Sequence, residues 1–127
     1  MKLILASQSP RRHELLKKEG FTFTIQTADI DETPLPKENP QDYVKRVALE
    51  KALVVGKNFD SNHVVLAADT TVVLNDQIFG KPENNADAKR ILQSLSGNKH
   101  HVLTSWVILK SPQQILTHET EAVSYTH

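Results

Sequence analysis

The sequence contains no cysteine and no excess of either charge sign among its 127 residues. Without cysteine, disulfides and thiolate metal sites are excluded, and the composition fits a reducing compartment. Lysine plus arginine and aspartate plus glutamate both number 15, so the formal net charge is zero. A general nucleic-acid or membrane-surface binder needs a basic excess. We therefore expect neither partner, and any anion site must be local.

Long hydrophobic runs are also missing. The apolar start is only Leu-Ile-Leu-Ala, too short for the core of a signal peptide, and no segment reaches transmembrane length. We therefore expect a cytoplasmic protein. The sequence has no internal repeat, Walker A loop, zinc-ligand spacing or serine-histidine-aspartate order. Its length suits a single domain over residues 1–127 with a core of its own.

Hydrophobic periodicity predicts an alternating order of strands and helices. Strands are expected at 2–6, 21–25, 64–68, 101–109 and 115–125, and helices at 10–19, 40–56 and 85–96. The run 64–68 leads through Asp69-Thr70-Thr71 into 72–74, with which 77–79 is expected to pair as a hairpin. The third helix has an apolar stripe made of Ala88, Ile91, Leu92 and Leu95. Strands accumulate toward the end, which indicates an α/β domain with a mixed sheet. The final strand is expected to be either an edge strand or a sign that the polypeptide is incomplete.

The start of the first helix is unusually basic. Ser9 is a good N-cap, and a proline suits the first helical position after it. Arg11 and Arg12 then lie in the first turn, where the helix dipole disfavours each by about 0.3–1 kcal/mol. A bound anion reverses that sign, and the hydroxyls of Ser7 and Ser9 would complete a phosphate cradle. The alternative is a solvated helix start whose arginines reach Glu14 or other surface acids.

Asp69 directly follows the continuous apolar run 64–68. An isolated carboxylate in a buried strand is costly unless it is paired or bound to a metal. The carboxyl end of a central strand is also where α/β proteins place ligand sites. Asp69 is therefore either a site residue or an aspartate that accepts backbone amides at a strand bend.

Further acidic and basic candidates each have two interpretations. Asp29, Asp31 and Glu32 either hold a divalent cation through hard oxygens or form a solvated acidic loop. Lys51 lies on the apolar stripe of the second helix, so its ammonium group either snorkels to water or points into a cleft. Lys81 lies in a Gly-Lys-Pro turn, which alone is a weak signal.

His100 and His101 are adjacent histidines. His100 directly precedes the strand predicted at 101–109, and His101 is the first residue of that strand. Neighbouring strand residues face opposite sides of a sheet. A metal shared by the two rings is therefore not expected, and we interpret both as structural.

Several segments resemble, in order, motifs of the Maf family, which are nucleoside triphosphate pyrophosphatases once described as septum formation inhibitors. These segments are Leu5-Ala6-Ser7-Gln8-Ser9-Pro10-Arg11-Arg12, Glu50-Lys51-Ala52, Ala67-Ala68-Asp69-Thr70-Thr71-Val72, Gly80-Lys81-Pro82, and Ser96-Gly97 followed by His101-Val102. The resemblance implies a Maf/ITPase-like fold, in which helices flank a mixed twisted sheet with a cleft. It also implies hydrolysis of dTTP or UTP to the monophosphate and pyrophosphate.

The resemblance further implies roles for single residues. Asp69 would be the general base and a ligand of Mg²⁺ or Mn²⁺, with Glu32 as a second ligand and Asp31 a weaker candidate. Arg12 and Thr70 would set the base preference toward dTTP and UTP rather than 7-methyl-GTP. The phosphates of the nucleoside triphosphate would be bound by Ser7, Ser9, Arg11, Arg12, Lys51 and Lys81.

Family members continue into a glycine-rich Tyr-x-Ile-Gln-Gly-type motif that this sequence does not contain. The resemblance therefore implies a domain that is incomplete at its C-terminus. One alternative function is a non-catalytic protein that only binds nucleotide. Another is a partner-binding regulator of cell division, and a homodimer could supply the missing cover.

Overall fold

Nine helices and strands follow one another in the part of the chain that the computed structural model describes, residues 1–75, 77–79, 84–97 and 99–126. In chain order they are β1 (Lys2–Ala6), α1 (Pro10–Lys18), β2 (Phe23–Ile25), α2 (Pro40–Gly56), β3 (His63–Leu74), β4 (Gln77–Phe79), α3 (Asn85–Leu95), β5 (Lys99–Lys110) and β6 (Gln114–Thr126). We call residues 26–39, between β2 and α2, the acidic loop. No helix in the described ranges is both long and apolar enough to cross a membrane.

The strands form one six-stranded sheet in the order β2-β1-β3-β5-β6, with β4 paired to β3. β1 runs parallel to β2 and to β3, whereas β3 is antiparallel to β4 and β5, and β5 is antiparallel to β6. Parallel strands need crossover connections, and α1 and α2 supply them. The predicted α/β fold with a mixed sheet flanked by helices is confirmed.

Helix α2 covers one face of the sheet and forms the main core. Its small and β-branched side chains pack on alternate residues of β1, β3 and β5. Burying one such aliphatic side chain contributes about 1.5–3 kcal/mol. The fully buried cluster consists of Ile4, Ala6, Ala48, Ala52, Val55, Val65, Ala67, Val107 and Leu109.

The end of α2 lies very close to β5 and the turn after it. A methyl group built on Gly56 would lie 2.5 Å from the Leu109 Cδ2 atom and 2.7 Å from the Pro112 carbonyl oxygen. Both distances are shorter than real carbon contacts permit. Glycine is therefore required here for close approach rather than for an unusual backbone angle.

Helices α1 and α3 lie on the opposite face and cover it thinly. The described helix α1 buries none of its residues, and α3 buries only Leu95. Leu92, predicted to belong to the apolar stripe of α3, is 68% exposed. Among the described residues, the hydrophobic cluster that includes α3 joins Leu95 and Ile91 to the β3–β4 hairpin, at Val72, Leu74 and Phe79. In the described part of the chain, Leu95 and Ile91 of the stripe are therefore packed, whereas Leu92 is exposed.

The strands of the parallel pair β1–β3 end at different places. Their pairing stops at Ala6 and Ala67, yet β3 continues in antiparallel pairing with β5 to Val73 and with β4 to Leu74. Asp69 therefore lies in the middle of β3, and the expectation that it ends its strand was wrong. The strand that ends beside it is β1, because the β-branched residues after Asp69 extend β3.

Candidate active site

A cavity of about 390 Å³ opens where β1 has ended and β3 continues. Its walls come from the end of β1, the turn after it, the start of α1, the acidic loop, α2 and β3. This is the carboxyl edge of the parallel strands, where α/β sheets bind their ligands. The chemically active side chains that line it are Ser7, Ser9, Arg12, Glu32, Lys51, Asp69 and Thr70.

The β1–α1 turn is held in place by its own polar groups. Ser7 Oγ accepts a hydrogen bond from the Ser9 amide at 3.2 Å, and Ser9 Oγ caps α1 by accepting from the Arg12 amide at 3.4 Å. His13 Nε2 donates to the Ser7 carbonyl oxygen at 2.7 Å, which fixes the turn against the helix. Both hydroxyls can still donate their own protons, so the turn can bind an anion at the positive end of α1.

Asp69 and Glu32 converge on one ammonium group. Lys51 Nζ lies 3.2 Å from Asp69 Oδ1 and 3.4 Å from Glu32 Oε1. The odd-numbered residues of β3 face α2, which brings Asp69 opposite Lys51. Burial raises the pKa of Asp69 above its ordinary value, Glu32 adds to that rise, and Lys51 and Arg12 oppose it. A carboxyl with a raised pKa in a cavity is a candidate proton acceptor.

Arg12 joins α1 to the other face of β3. Its Nη2 donates to Thr70 Oγ1 at 2.7 Å, and Thr70 Oγ1 lies 3.2 Å from Thr104 Oγ1 on β5. Burial lowers the pKa of Arg12, partly offset by Asp69, but the guanidinium stays charged at any ordinary pH. The three side chains form a polar wall beside Asp69.

Tyr43 on α2 contacts the backbone of the acidic loop. Its Oη donates to the carbonyl oxygen of Glu32 at 2.7 Å. Burial raises the pKa of Tyr43 to about 12, and the nearby carboxylates Asp69 and Glu32 contribute to the rise. Tyr43 therefore stays protonated and remains a hydrogen-bond donor.

The family model described as Maf-like protein matches residues 2–127, nearly the whole sequence. The chain belongs to the Maf-like family. Curated relatives of this Maf-like chain carry the name dTTP/UTP pyrophosphatase. The protein from Pseudoalteromonas atlantica is 52% identical over 114 residues, covering 87% of this chain and 59% of the relative. Those from Anaeromyxobacter dehalogenans and Bacillus cereus are 49% and 43% identical, each covering 98% of this chain and 61% of the relative. The chain thus spans about three fifths of the length of these curated relatives.

Solved structures with the same fold have very different sequences. A HAM1 protein from Coxiella burnetii has a TM-score of 0.60 at 19% identity, over 98% of this chain and 71% of that protein. A nucleoside-triphosphatase, dITP/XTP pyrophosphatase, from Mycobacterium abscessus has a TM-score of 0.55 at 14% identity, over 99% of this chain and 74% of that protein. At such identities the likeness shows the fold alone, and it agrees with the expected Maf/ITPase-like architecture.

Most of the site residues predicted for this Maf-like chain meet in the cavity. Ser7, Ser9, Arg12, Glu32, Lys51, Asp69 and Thr70 all line it. Lys51 points into the cleft rather than snorkelling to water, and Arg12 bonds to Thr70 rather than to Glu14. Arg11 is exposed and is not among the described residues that line the cavity. Lys81 lies outside the described residues.

The remaining candidates are placed as the simpler interpretations predicted. Asp29 and Asp31 are exposed, and Asp31 Oδ1 accepts from the Thr33 amide at 3.0 Å. Of the three acids, Glu32 alone lines the cavity. His100 is buried and stacks on Tyr125 with ring centres 5.7 Å apart, whereas His101 is exposed. The two histidines face opposite sides, as expected.

Sequence reasoning missed Tyr43, Arg46 and Glu38, which hold the acidic loop. Arg46 Nε lies 2.7 Å from Glu38 Oε2, and this contact raises the pKa of Arg46 and lowers that of Glu38. A signal existed, since Arg46 and Glu50 are four residues apart on one helix face and are oppositely charged. The contact from the loop to the helix could not be found by spacing alone.

The cavity also fits a divalent cation with incomplete protein coordination. Two carboxylates, Asp69 and Glu32, already converge on one positive group. Among the described residues, no three histidine, aspartate or glutamate side chains form a metal site. Mg²⁺ is commonly held by one or two carboxylates with the remaining ligands from water and substrate phosphates. The donor set suits that kind of site rather than a closed one.

Proposed function

We propose that the protein is a nucleoside triphosphate pyrophosphatase that converts dTTP or UTP to the monophosphate and pyrophosphate. The observation that carries the proposal is the placement of Asp69, with its raised pKa, in one cavity with the cationic groups of Lys51 and Arg12. The curated names of relatives that match 87–98% of this chain at 43–52% identity support the same reaction.

The phosphates would lie between the β1–α1 turn and α2. Hydroxyls of Ser7 and Ser9 and the amides of the first turn would donate to phosphate oxygens. Lys51 would leave its carboxylate partners in part and neutralise phosphate charge, and Arg11 and Lys81 are proposed to add further positive charge for the phosphates. The base would lie against Arg12 and Thr70, which would set the preference for thymine and uracil.

Asp69 would act on the attacking water. The ionised carboxylate accepts a proton as the water oxygen forms a bond to the α-phosphorus. The bond from that phosphorus to the bridging oxygen breaks, and pyrophosphate leaves with the electron pair. A bound Mg²⁺ or Mn²⁺, held by Asp69 and Glu32 together with phosphate oxygens, would neutralise the charge that develops on them.

The test is release of pyrophosphate from dTTP and from UTP in the presence of Mg²⁺. Asp69→Asn removes the proton acceptor and should abolish release. Asp29→Asn is the matched control, because Asp29 is an exposed aspartate of the acidic loop that does not line the cavity. Release that persists in Asp69→Asn would show that the base is wrongly assigned. Binding of dTTP in calorimetry without any release would favour the non-catalytic alternative.

A further inference from the structure

The acidic loop has no regular secondary structure, yet two side chains of α2 fix its backbone next to the cavity. Tyr43 Oη donates to the carbonyl oxygen of Glu32 at 2.7 Å. Arg46 Nη2 donates to the next carbonyl oxygen, that of Thr33, at 3.2 Å. Residues three apart on a helix lie on one face. Two consecutive peptide groups are therefore attached to the same helix that carries Lys51.

Arg46 pairs with two carboxylates, more closely with Glu38 than with the partly exposed Glu50. Its Nε and Nη2 donate to the two oxygens of Glu38 at 2.7 and 3.0 Å, a bidentate pair, and its Nη1 lies 3.2 Å from both oxygens of Glu50. Glu38 Oε1 also accepts from the Leu35 amide at 3.0 Å. The planar guanidinium thus joins both ends of the segment 33–38 to α2, which a lysine ammonium cannot reproduce.

The position of Glu32 depends on this attachment more than on packing. Its side chain is 48% exposed while its carboxylate meets Lys51 at 3.4 Å. A half-exposed side chain has little tertiary packing to fix it, so its place is set by the backbone that carries it. Arg46 does not line the cavity itself.

We propose that Arg46 is a positioning residue for the site: by fixing the carbonyl of Thr33 and the carboxylate of Glu38, it places Glu32 opposite Asp69. This inference rests on the proposed function, because the position of Glu32 matters for turnover only if the cavity hydrolyses nucleotides. Arg46 acts through Glu32 and does not touch the substrate.

The first test measures hydrogen–deuterium exchange of a peptide covering residues 29–38. Arg46→Lys keeps the positive charge but loses the bidentate pair and the bond to the Thr33 carbonyl, so exchange should become faster. Glu50→Gln is the matched control, because it weakens the partly exposed pair within α2 and leaves the loop contacts intact. Exchange of the loop should be unchanged in that variant.

The second test is a double-mutant cycle on kcat/KM for dTTP with Mg²⁺. Loss of an orienting partner costs 10–100-fold in activity, and for the partly exposed Arg46 we expect about tenfold in Arg46→Lys. In a Glu32→Gln background the same change should cost less than about twofold, because the group that Arg46 positions is already altered. Unfolding midpoints measured in parallel should differ little between Arg46→Lys and Glu50→Gln.

Two results would overturn the inference. One is loop exchange in Arg46→Lys that equals that of the unsubstituted protein. The other is an equal loss of kcat/KM with and without Glu32, which would make the effect of Arg46 general rather than directed at Glu32. If the unsubstituted protein releases no pyrophosphate, the proposed function fails, and the exchange experiment alone decides whether Arg46 holds the loop.

Discussion

The Lys51 ammonium nitrogen lies 3.2 Å from a carboxylate oxygen of Asp69, joining the central helix α2 to the middle of β3. Both residues lie on mainly apolar surfaces: Lys51 follows the buried stripe of α2, and Asp69 follows Ala67 on the same face of the strand. A charged pair in that place is costly to desolvate. It therefore makes the site a point where stability and function are expected to conflict.

Substituting Asp69 should raise stability while it removes activity. Because the folded-state pKa of Asp69 is raised, its stabilising contribution is complete below the ordinary value of 3.8 and is lost as pH rises through the higher folded value. Above that window the ionised carboxylate is a net cost. Asp69→Asn should therefore raise stability near neutral pH by about 1 kcal/mol, or roughly 3–5 °C in midpoint. Thermal unfolding between pH 3 and 8 measures this, and a lower midpoint than that of the unsubstituted protein would contradict it.

The same raised pKa shapes the pH dependence of turnover. A general base must be ionised, so kcat/KM should fall as the solution is acidified through the pKa of Asp69 in the free enzyme. Since burial raises that pKa, the acid limb should lie above 3.8. A profile of kcat/KM for dTTP against pH measures its position. Glu32→Gln removes a neighbouring negative charge and should move the limb toward lower pH; a limb that stays in place would contradict the assignment.

Removing Lys51 should leave two carboxylates facing each other without a cation. Lys51→Met keeps the length of the side chain but not its charge. We expect it to destabilise the fold by about 1–3 kcal/mol, the cost of leaving a buried charged group unsatisfied. Urea unfolding of Lys51→Met in the presence and absence of Asp69→Asn separates the causes. The cost should shrink clearly in the double variant, and an equal cost in both backgrounds would assign it to lost packing instead.

Thr70 is expected to influence which nucleotide is preferred. Thr70→Val keeps the side-chain shape but removes the oxygen that accepts from Arg12 at 2.7 Å. One hydrogen-bonding group left without its partner corresponds to about tenfold. We therefore expect the ratio of kcat/KM for dTTP over dGTP to fall by about that factor. Thr104→Val is the control, since Thr104 contacts Thr70 but is one step further from Arg12. A larger effect at Thr104 than at Thr70 would contradict this arrangement.

Gly56 offers a test of the core that is independent of function. Replacing glycine by alanine inside an exposed helix usually stabilises by up to about 1 kcal/mol. Here the added methyl would overlap Leu109 and the Pro112 carbonyl, so Gly56→Ala should instead destabilise by about 1–3 kcal/mol. Gln41→Ala, at an exposed position of the same helix, should change stability by less than about 0.5 kcal/mol. Equilibrium unfolding of both variants checks the sign.

The local elements were predictable because each has a clear pattern. The helix begun by Ser9, the apolar stripe of α2 and the buried run before Asp69 are signals carried by neighbouring residues. The residues at which these elements end were harder to predict. The segments predicted at 64–68 and 72–74 are parts of one longer strand, His63–Leu74, because pairing with β5 continues after β1 has stopped. Strand pairing is a property of distant segments, and spacing along the chain does not contain it.

The candidate site, like the fold, was predictable where the signal is local and not where it depends on contacts between distant segments. Charge in an unexpected place, such as Arg12 at a helix start or Lys51 on an apolar stripe, indicated residues that do meet in the cavity. The contacts that join distant segments were not accessible, including that of Thr104 with Thr70. The bond from Arg46 to a main-chain carbonyl was hidden for a further reason, since any residue type could supply that acceptor.

The stagger between β1 and β3 has a simple geometric consequence. The cavity occupies the place where a longer β1 would have continued the sheet. The lower boundary of the cavity is therefore determined by the length of β1 rather than by a flexible segment. Two additional residues in β1 would extend its ladder past Ala67, place main-chain amides beside Asp69, and fill the space with polypeptide. The space for a ligand therefore exists because β1 ends earlier than its neighbour β3.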